Sequence, residues 1–319
     1  MIKQPKSPSC WVITEGIAGT ENQCIGVADA LNIPYEVKRI SLIQPWKSLS
    51  PFIGFETEKS FTPALHPPWP EILIASGRKS IAASKYIKKM SQGKTFTVQI
   101  QDPRIAPKHF DLVAVPAHDP LRGGNVIVTN GAPNKITNDI LEQAKKDFPH
   151  LGDLKQPRVA VLIGGSSKAY NMTEQTTRTL VEQLNNIDAS LMITCSRRTG
   201  KENQAILESG LKKPGNFFWD GEGNNPYFGL LAWADYILVT ADSASMISES
   251  CTTGKPVYMV ALEGGARRIE QFHHNLIEYG ALKKFKGTLE TFSYKPLNDS
   301  QMVSNEIKKR LKDFTKGAN

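Results

Sequence analysis

Short apolar runs alternate along the chain with longer segments in which apolar residues recur at helical spacing. The run at residues 236–239 (YILV) is rich in β-favouring side chains and is followed by polar turn residues, which predicts a buried strand. The segment that follows places its apolar residues partly on one face, and Gly254 and Pro256 end it, which predicts a helix. Because strands that alternate with helices form parallel sheets, the pattern predicts an α/β protein.

This alternation occurs in two successive series. The first predicts strands at 11–14, 35–40, 71–75, 95–100, 111–115 and 126–129, with helices after residue 24 and at 79–90 and 136–148. The second predicts strands at 158–163, 190–195, 217–219, 236–239 and 257–261, with helices at 172–184, after residue 242, and at 269–279 and 304–314. Pro-containing residues 149–157 read as a linker between them. We therefore expect a Rossmann-like N-terminal domain at 1–150, a second such domain at 157–300, and a helix at 301–319 that packs back toward the first.

Residues 44–70 form a proline-rich stretch without clear periodicity. The stretch carries five large aromatic side chains: Trp46, Phe52, Phe55, Phe61 and Trp69. A loop of this length inside a domain is usually functional or mobile. Two interpretations follow: the aromatics pack over their own core, or they contact a lipid-like acceptor or a membrane surface.

Composition narrows the class of protein. No segment approaches the roughly 18 apolar residues of a membrane span, and the first residues lack the apolar core of a secretory signal, so we expect a cytoplasmic protein. The four cysteines (Cys10, Cys24, Cys195 and Cys251) are scattered and read as reduced thiols. The formal charge of +8 suits an anionic partner such as a nucleotide or an anionic membrane face, although a solvated basic surface explains it equally well. We expect no nucleic-acid partner.

Three common motifs are missing from the sequence. The glycines after the first strand do not spell G-x-G-x-x-G, and G-x-x-x-x-G-K-[ST] does not occur, so a dinucleotide fold and a P-loop ATPase are both disfavoured. No His and Cys residues have metal-ligand spacing, so we expect no metal site.

Polar residues follow the predicted strands of the first domain at their carboxyl ends. In a parallel sheet these ends share one edge, where ligands bind. The residues concerned are Glu15, Ser76, Arg78, Asp102, Arg104, His118, Asp119 and Asn130. Glu15 has an alternative role as a turn or capping carboxylate, and His118 and Asp119 have one as a structural pair.

The segment 234–260 combines a strand, a polar turn, a helix with Glu249, a Gly-Lys-Pro exit and another strand. The start of such a helix offers free N–H groups and a positive dipole end, which suit a phosphate. The segment resembles the donor-nucleotide motif of GT-B glycosyltransferases, in which the Glu holds ribose hydroxyls. The alternative is an ordinary βαβ unit in which Glu249 is merely solvated.

Several segments together resemble the mitochondrial-fission (elongated mitochondria) family, whose bacterial members are classed as glycosyltransferases. They are TEGIAGTENQ at 14–23, ASGRK at 75–79, QIQDPR at 99–104, VPAHD at 115–119, IGGSS at 163–167, SRRT at 196–199, and residues 240–256. The family implies a GT-B-like architecture with two Rossmann-like, doubly wound domains that face a cleft. The second domain also resembles the donor domain of the peptidoglycan N-acetylglucosaminyltransferase.

The resemblance implies the residues of a site. The donor-binding candidates are Gly164, Gly165, Ser166, Ser167, Arg197, Arg198, Ser243, Ser245, Met246, Glu249, Gly264, Gly265 and Arg267. The candidates for a catalytic base on the acceptor side are Asp102, Glu15 and His118, with Asp102 first because Pro103 and Arg104 flank it.

Two functions are expected from this family. One is a metal-independent transfer of a sugar, without a cofactor, from a nucleotide sugar that we expect to be UDP-linked. The acceptor would be a lipid-linked or lipopolysaccharide-like molecule of the cell envelope, met at the inner face of the cytoplasmic membrane. The alternative is a non-catalytic adapter that keeps the fold and binds a protein or membrane partner, as plant members are described to do.

Overall fold

The computed structural model describes residues 9–52 and 54–317. Within them the chain is α/β, as the sequence predicts, and it divides into two compact units. Unit 1 holds the residues up to Lys135 together with those from Asn298 onward, and unit 2 holds Ile136–Leu297. Unit 1 is therefore discontinuous in sequence, and unit 2 is one continuous segment.

The secondary structure follows the predicted order and adds elements that the pattern does not predict, including two helices at residues 201–211 and 227–233 and several short strands. The strands are β1 (Cys10–Thr14), β2 (Tyr35–Arg39), β3 (Ser41–Leu42), β4 (Phe61–Thr62), β5 (Ile72–Ser76), β6 (Phe96–Ile100), β7 (Leu112–Pro116), β8 (Val126–Thr129), β9 (Arg158–Ile163), β10 (Tyr170–Asn171), β11 (Ser190–Cys195), β12 (Phe217–Phe218), β13 (Tyr236–Thr240), β14 (Val257–Val260), β15 (Glu263–Gly264) and β16 (Leu282–Lys284). The α-helices are α1 (Ala18–Leu31), α2 (Trp46–Leu49), α3 (Ser80–Met90), α4 (Asn138–Asp147), α5 (Glu174–Asn185), α6 (Lys201–Leu211), α7 (Tyr227–Trp233), α8 (Ala244–Thr252), α9 (Arg267–Glu278) and α10 (Asp299–Gly317). Short 3₁₀ turns lie at Glu58–Ser60, Pro107–His109 and Pro149–Asp153.

Unit 1 is built on a six-stranded sheet in the order β2-β1-β5-β6-β7-β8, and all of its strand pairs are parallel. Strands β1, β5 and β6 are buried along their whole length, as expected for strands covered on both faces. The strand order reverses between β1 and β5, which is where doubly wound sheets bind their ligands.

The proline-rich stretch of unit 1 is partly ordered by its own aromatic core. Strands β3 and β4 pair antiparallel inside it, and Phe61 is buried beside Tyr86, with ring centroids 5.3 Å apart. Trp69 packs edge-on against Trp11 and Tyr86. The interpretation in which the aromatics cover their own core is thus correct for Phe61 and Trp69, and for Trp46, which packs against the same apolar cluster. Phe52 and Phe55, by contrast, are 73% and 88% exposed.

Helix α10 packs on α1 of unit 1. Val303 and Ile307 are fully buried in the same apolar cluster as Val27 and Leu31 of α1, and the Ser304 hydroxyl donates to the carbonyl of Ala30 at 2.9 Å. The helix begins at Asp299, earlier than the sequence pattern predicts, because Asp299 accepts hydrogen bonds from the backbone of unit 1.

Unit 2 carries the second six-stranded parallel sheet, in the order β12-β11-β9-β13-β14-β16. The order reverses between β9 and β13, so the carboxyl ends of these two strands mark the point where a ligand is expected.

The first helix of unit 2, α4, falls within residues 1–150, which the sequence pattern predicts as the first domain. It belongs to unit 2 because it packs on α7, where the Trp233 indole N–H donates to the carbonyl of Phe148 at 2.9 Å. Trp233 also lies so close to Gly152 that a Cβ there would meet its ring at 2.7 Å. The division therefore falls at Lys135, ahead of the residues 149–157 that read as a linker.

Candidate functional site

The candidate donor residues lie in four loops at the carboxyl edge of the unit 2 sheet. These loops follow the neighbouring strands β11, β9, β13 and β14, so the parallel sheet brings them together. Backbone and side-chain hydrogen bonds link the loops.

Gly164 and Asp242 meet at the point where the strand order reverses. The Gly164 N–H donates to Thr240 Oγ1 at 2.7 Å, and the Thr240 hydroxyl donates to Asp242 Oδ1 at 2.7 Å. A Cβ on Gly164 would lie 2.2 Å from Asp242 Oδ2, so this carboxylate occupies the space above the glycine backbone. Gly164 is required here because no side chain fits beside the Asp242 carboxylate.

Arg198 is held by Asp242. Its Nη2 lies 2.7 Å from Asp242 Oδ2, and the Asp242 side chain is fully buried while that of Arg198 is 42% exposed. The backbone of Arg198 also fixes the glycine loop: its carbonyl accepts the Ser166 N–H at 3.1 Å, and a Cβ on Gly165 would approach that carbonyl oxygen to 2.1 Å. Gly165 has a φ of +142°, which favours glycine.

Ser166 and Ser167 shape their own loop. Ser166 Oγ accepts the N–H of Met172 at 3.0 Å, and Ser167 Oγ accepts the N–H groups of Ala169 and Tyr170 at 3.2 and 3.1 Å. Their side chains therefore stabilise the turn between β9 and β10, and the loop offers a ligand mainly its backbone.

The loop after β14 joins this network through a short antiparallel pair. β15 pairs with β10, and the Gly265 N–H donates to the carbonyl of Ala169 at 2.7 Å. Gly264 has a φ of +99° and approaches the same carbonyl, with a Cβ position 2.6 Å from it. The two glycine loops that the sequence singled out are thus bound to each other.

Besides Arg198, two other candidate arginines at this edge are exposed. Arg197 lies next to the paired Arg198, and Arg267 begins α9. Ser243 caps α8, with its Oγ accepting the Met246 N–H at 3.4 Å, and Ser245 lies in the first turn of the same helix. Among the three candidate arginines, Arg198 has its charge balanced by Asp242, so Arg197 and Arg267 are the two that offer positive charge to a ligand.

Glu249 is buried, which contradicts the alternative in which it is merely solvated. It is 7% exposed, and its Oε2 accepts a short hydrogen bond of 2.5 Å from the Tyr227 hydroxyl. Burial, together with the adjacent carboxylate, raises the pKa of Tyr227 well above its ordinary value, so Tyr227 stays a donor at neutral pH. Sequence reasoning missed Tyr227, which lies in a helix, α7, that the pattern did not predict.

The three candidates for a base lie at the carboxyl edge of the unit 1 sheet. Glu15 Oε1 accepts the backbone N–H of Lys79 at 3.0 Å and its Oε2 lies 3.0 Å from Lys79 Nζ, so Glu15 stabilises the start of α3. Asp102 Oδ1 accepts the N–H of Arg104 at 2.8 Å. His118 Nε2 lies 3.7 Å from Asp119 Oδ1.

The sheet order separates these candidates. Asp102 and His118 follow the neighbouring strands β6 and β7, whereas Glu15 follows β1, two strands from β6. At about 4.8 Å per strand, Glu15 lies roughly 10 Å along the edge from Asp102. Asp102 and His118 are therefore the pair that the fold brings close.

Among residues 9–52 and 54–317 no group of three or more His, Cys, Asp or Glu residues is arranged to hold a metal ion. In the same residues, none of the helices combines the length and the apolar character of a membrane span.

Several solved structures share this fold. The UDP-GlcNAc 2-epimerase of Methanocaldococcus jannaschii is 14% identical, with a TM-score of 0.57 over 94% of this chain and 99% of that chain. UGT71G1 of Medicago truncatula, complexed with UDP-glucose, is 10% identical, with a TM-score of 0.51 over 98% of this chain and 94% of that chain. At these identities the similarity shows the fold alone, which is the GT-B-like α/β fold of glycosyltransferases and epimerases.

The chain itself belongs to the mitochondrial fission ELM1 family, whose model matches residues 18–311. The mitochondrial fission protein ELM1 of Arabidopsis thaliana is 33% identical to it, over 76% of this chain and 64% of the plant protein. The chain thus spans about 64% of the length of that relative.

Proposed function

We propose that the chain transfers a sugar from a UDP-linked donor to a cell-envelope acceptor, lipid-linked or lipopolysaccharide-like. The observation that carries this proposal is the linked set of loops where the unit 2 strand order reverses. There the start of α8, two close-approach glycines and the exposed Arg197 and Arg267 occur together. Helix N–H groups and arginines are what a diphosphate requires.

The chemistry needs no metal in this arrangement. The acceptor oxygen attacks the anomeric carbon, the bond from that carbon to the diphosphate breaks, and its electron pair leaves with the nucleoside diphosphate. The N–H groups at the start of α8, with Arg197 and Arg267, stabilise the charge that develops on the leaving group. Glu249 accepts hydroxyls of the donor ribose, and the Tyr227 hydroxyl holds its carboxylate in place.

A base must take the proton of the acceptor hydroxyl in an inverting transfer. Asp102 is the first candidate, because its contacts are local ones to Arg104, whereas Glu15 is engaged with the start of α3. His118 is the second, because Asp119 lies 3.7 Å away and can orient its ring.

The loop of unit 1 around Phe52 and Phe55 supports a peripheral membrane contact for the acceptor. Both rings and Leu49 are exposed, while Arg78 holds this loop through hydrogen bonds to the carbonyls of Ser48 and Ser50. Because Arg78 follows β5, the loop is tied to the ligand-binding edge of the unit 1 sheet.

The alternative function is that of an adapter without catalysis. Membership of the mitochondrial fission ELM1 family favours it, because the plant relative is named for fission and not for sugar transfer. An adapter has no need to bind a nucleotide sugar, so donor binding separates the two functions.

The test is calorimetric titration of the purified protein with UDP and with UDP-sugars. Arg197→Gln and Glu249→Gln should each weaken UDP binding by about tenfold or more, because each removes a charged hydrogen bond. Glu249→Gln is preferred to Glu249→Ala because the amide oxygen still accepts from the buried Tyr227 hydroxyl. Arg178→Gln and Glu182→Gln, on the exposed face of α5, are the matched controls. If the parent protein binds neither UDP nor any UDP-sugar, the transfer proposal is overturned and the adapter function is the one that remains to be tested.

A further inference from the structure

A cavity of about 460 Å³ lies in unit 2 beside the donor loops, between α9 and the carboxyl ends of β13, β14 and β16. Its walls are mixed: Tyr170, Met259, Leu262, Ile277 and Phe285 form the apolar part, and histidine, lysine and glutamate side chains form the polar part. Apolar walls with a few polar groups, at this volume, are typical of small-molecule sites.

The buried polar group in the wall is His273, whereas the neighbouring His274 is exposed and lies 3.2 Å from Glu278. His273 is 5% exposed and forms a hydrogen bond with the backbone of Ala241, and its Nε2 has no hydrogen-bond partner among the residues that the structure describes. The bond to Ala241 is therefore made by Nδ1. Burial lowers the pKa of His273 to about 4, so at neutral pH the ring is uncharged and Nε2 is a lone-pair acceptor. A buried acceptor without a partner is costly unless a ligand supplies the donor.

The charged residues of the cavity are Glu270, Lys284 and Lys286. The two lysines are exposed at the carboxyl end of β16, and they outnumber the single carboxylate. A ligand that enters here meets an acceptor in the buried wall and excess positive charge at the rim. It must carry hydroxyl or N–H donors and a negative charge.

The cavity is continuous with the donor loops. Gly264 and Ala241 line it, Ala241 precedes Asp242, and Gly264 belongs to the loop that pairs with β10. Glu249 and Tyr227, which are proposed to hold the ribose, are not among its lining residues. The part of the donor that the cavity can take is therefore the sugar beyond the diphosphate.

We propose that this cavity holds the transferred sugar and selects an acidic one, a hexuronic acid, whose hydroxyl donates to His273 Nε2 and whose carboxylate is paired with Lys284 and Lys286. This inference rests on the proposed donor binding and adds to it the class of sugar.

The experiment is calorimetric titration with UDP, UDP-glucose and UDP-glucuronic acid. The parent protein should bind UDP-glucuronic acid about tenfold more tightly than UDP-glucose. Lys284→Met with Lys286→Met should abolish this preference and leave UDP binding unchanged. Lys283→Met is the matched control, because Lys283 lies outside the cavity and pairs with Glu290.

Two variants of His273 test the roles of its two ring nitrogens separately. The Asn side chain in His273→Asn keeps a donor near the Nδ1 position and removes the Nε2 acceptor, so it should lower the affinity for both UDP-sugars about fivefold to tenfold without changing that for UDP. His273→Gln keeps an acceptor near Nε2 and should restore most of the binding. Equal affinity of the parent protein for the two UDP-sugars, or no effect of His273→Asn, overturns this proposal and leaves the donor proposal standing. No binding of UDP itself overturns both.

Discussion

The Arg198–Asp242 ion pair makes a sharp prediction about the stability of unit 2. Breaking a buried ion pair by removing one partner typically costs about 3–5 kcal/mol. Because Arg198 is 42% exposed, water partly replaces it beside Asp242, and we expect Arg198→Met to cost about 2 kcal/mol. At a typical urea dependence of about 2 kcal/mol per molar, the midpoint of unfolding should fall by about 1 M.

The double variant tests the reason for this loss. Asp242→Asn keeps an oxygen for the Thr240 hydroxyl and removes the buried charge that Arg198 balances. Arg198→Met with Asp242→Asn should therefore be more stable than Arg198→Met alone, with a coupling free energy of about 1 kcal/mol or more.

Pulsed hydrogen exchange at increasing urea, read on peptides from β9 and β13, reports the midpoint of unit 2 separately from that of unit 1. Arg178→Met, which removes an exposed pair with Glu174 at 3.5 Å, is the control and should change stability by less than about 0.5 kcal/mol. An unchanged midpoint for Arg198→Met, or a double variant no more stable than it, would show that the pair does not hold the two loops together.

Three further predictions follow from other parts of the chain. Gly165→Ala should destabilise unit 2 by more than about 3 kcal/mol in chemical denaturation, because the added Cβ would meet the Arg198 carbonyl. Gly124→Ala should be nearly neutral, because among the described residues no atom beyond its chain neighbours lies within 4 Å of the added Cβ. Burial raises the pKa of Asp299 from 3.8 to about 6, although the hydrogen bonds from the N–H groups of Asn130 and Gly131 act to lower it. The folded state therefore binds the Asp299 proton more tightly than the unfolded state. Protonated Asp299 contributes about 3 kcal/mol to the free energy of unfolding below pH 4, and this contribution is lost as the pH rises to 6. Asp299→Asn should remove this pH dependence from urea midpoints measured between about pH 4 and pH 6. Phe52→Ser with Phe55→Ser should weaken binding to anionic liposomes at low ionic strength about tenfold in a sedimentation assay, and equal sedimentation of parent and variant would exclude this loop as the contact.

Buried strands are the part of the fold that the sequence predicts best. β9 and β11 begin and end at the residues that the sequence predicts, and β13 differs from its prediction only by the addition of Thr240. These strands are covered on both faces, so almost every position in them is apolar and the run is unambiguous. Helix α6 was missed because only Leu207 and Leu211 of its residues are buried, which leaves little apolar periodicity to detect.

The sequence predicts which loops form the candidate site, but it does not predict the side-chain contacts within the site. Gly164, Gly165 and the arginines could be named because loops after parallel strands share one edge. Two contacts of the site depend on residues that are far apart in sequence and that only the packed sheet brings together. One is the ion pair of Asp242 with Arg198, and the other is the burial of His273 with a nitrogen that has no hydrogen-bond partner among the described residues. Local patterns carry no information on such contacts.

The return of α10 to unit 1 sets an order for folding during synthesis. Unit 2 is one continuous segment, so all of its strands are synthesised before α10, and domains generally fold as units during synthesis. Unit 1, although its sheet is synthesised first, waits with the apolar face of α1 around Val27 and Leu31 uncovered until Val303 and Ile307 arrive. The half of the protein that begins first is therefore completed last, and during that interval a nascent chain exposes a surface that chaperones bind. A premature stop before Asp299 would leave unit 2 whole and unit 1 permanently in that exposed state.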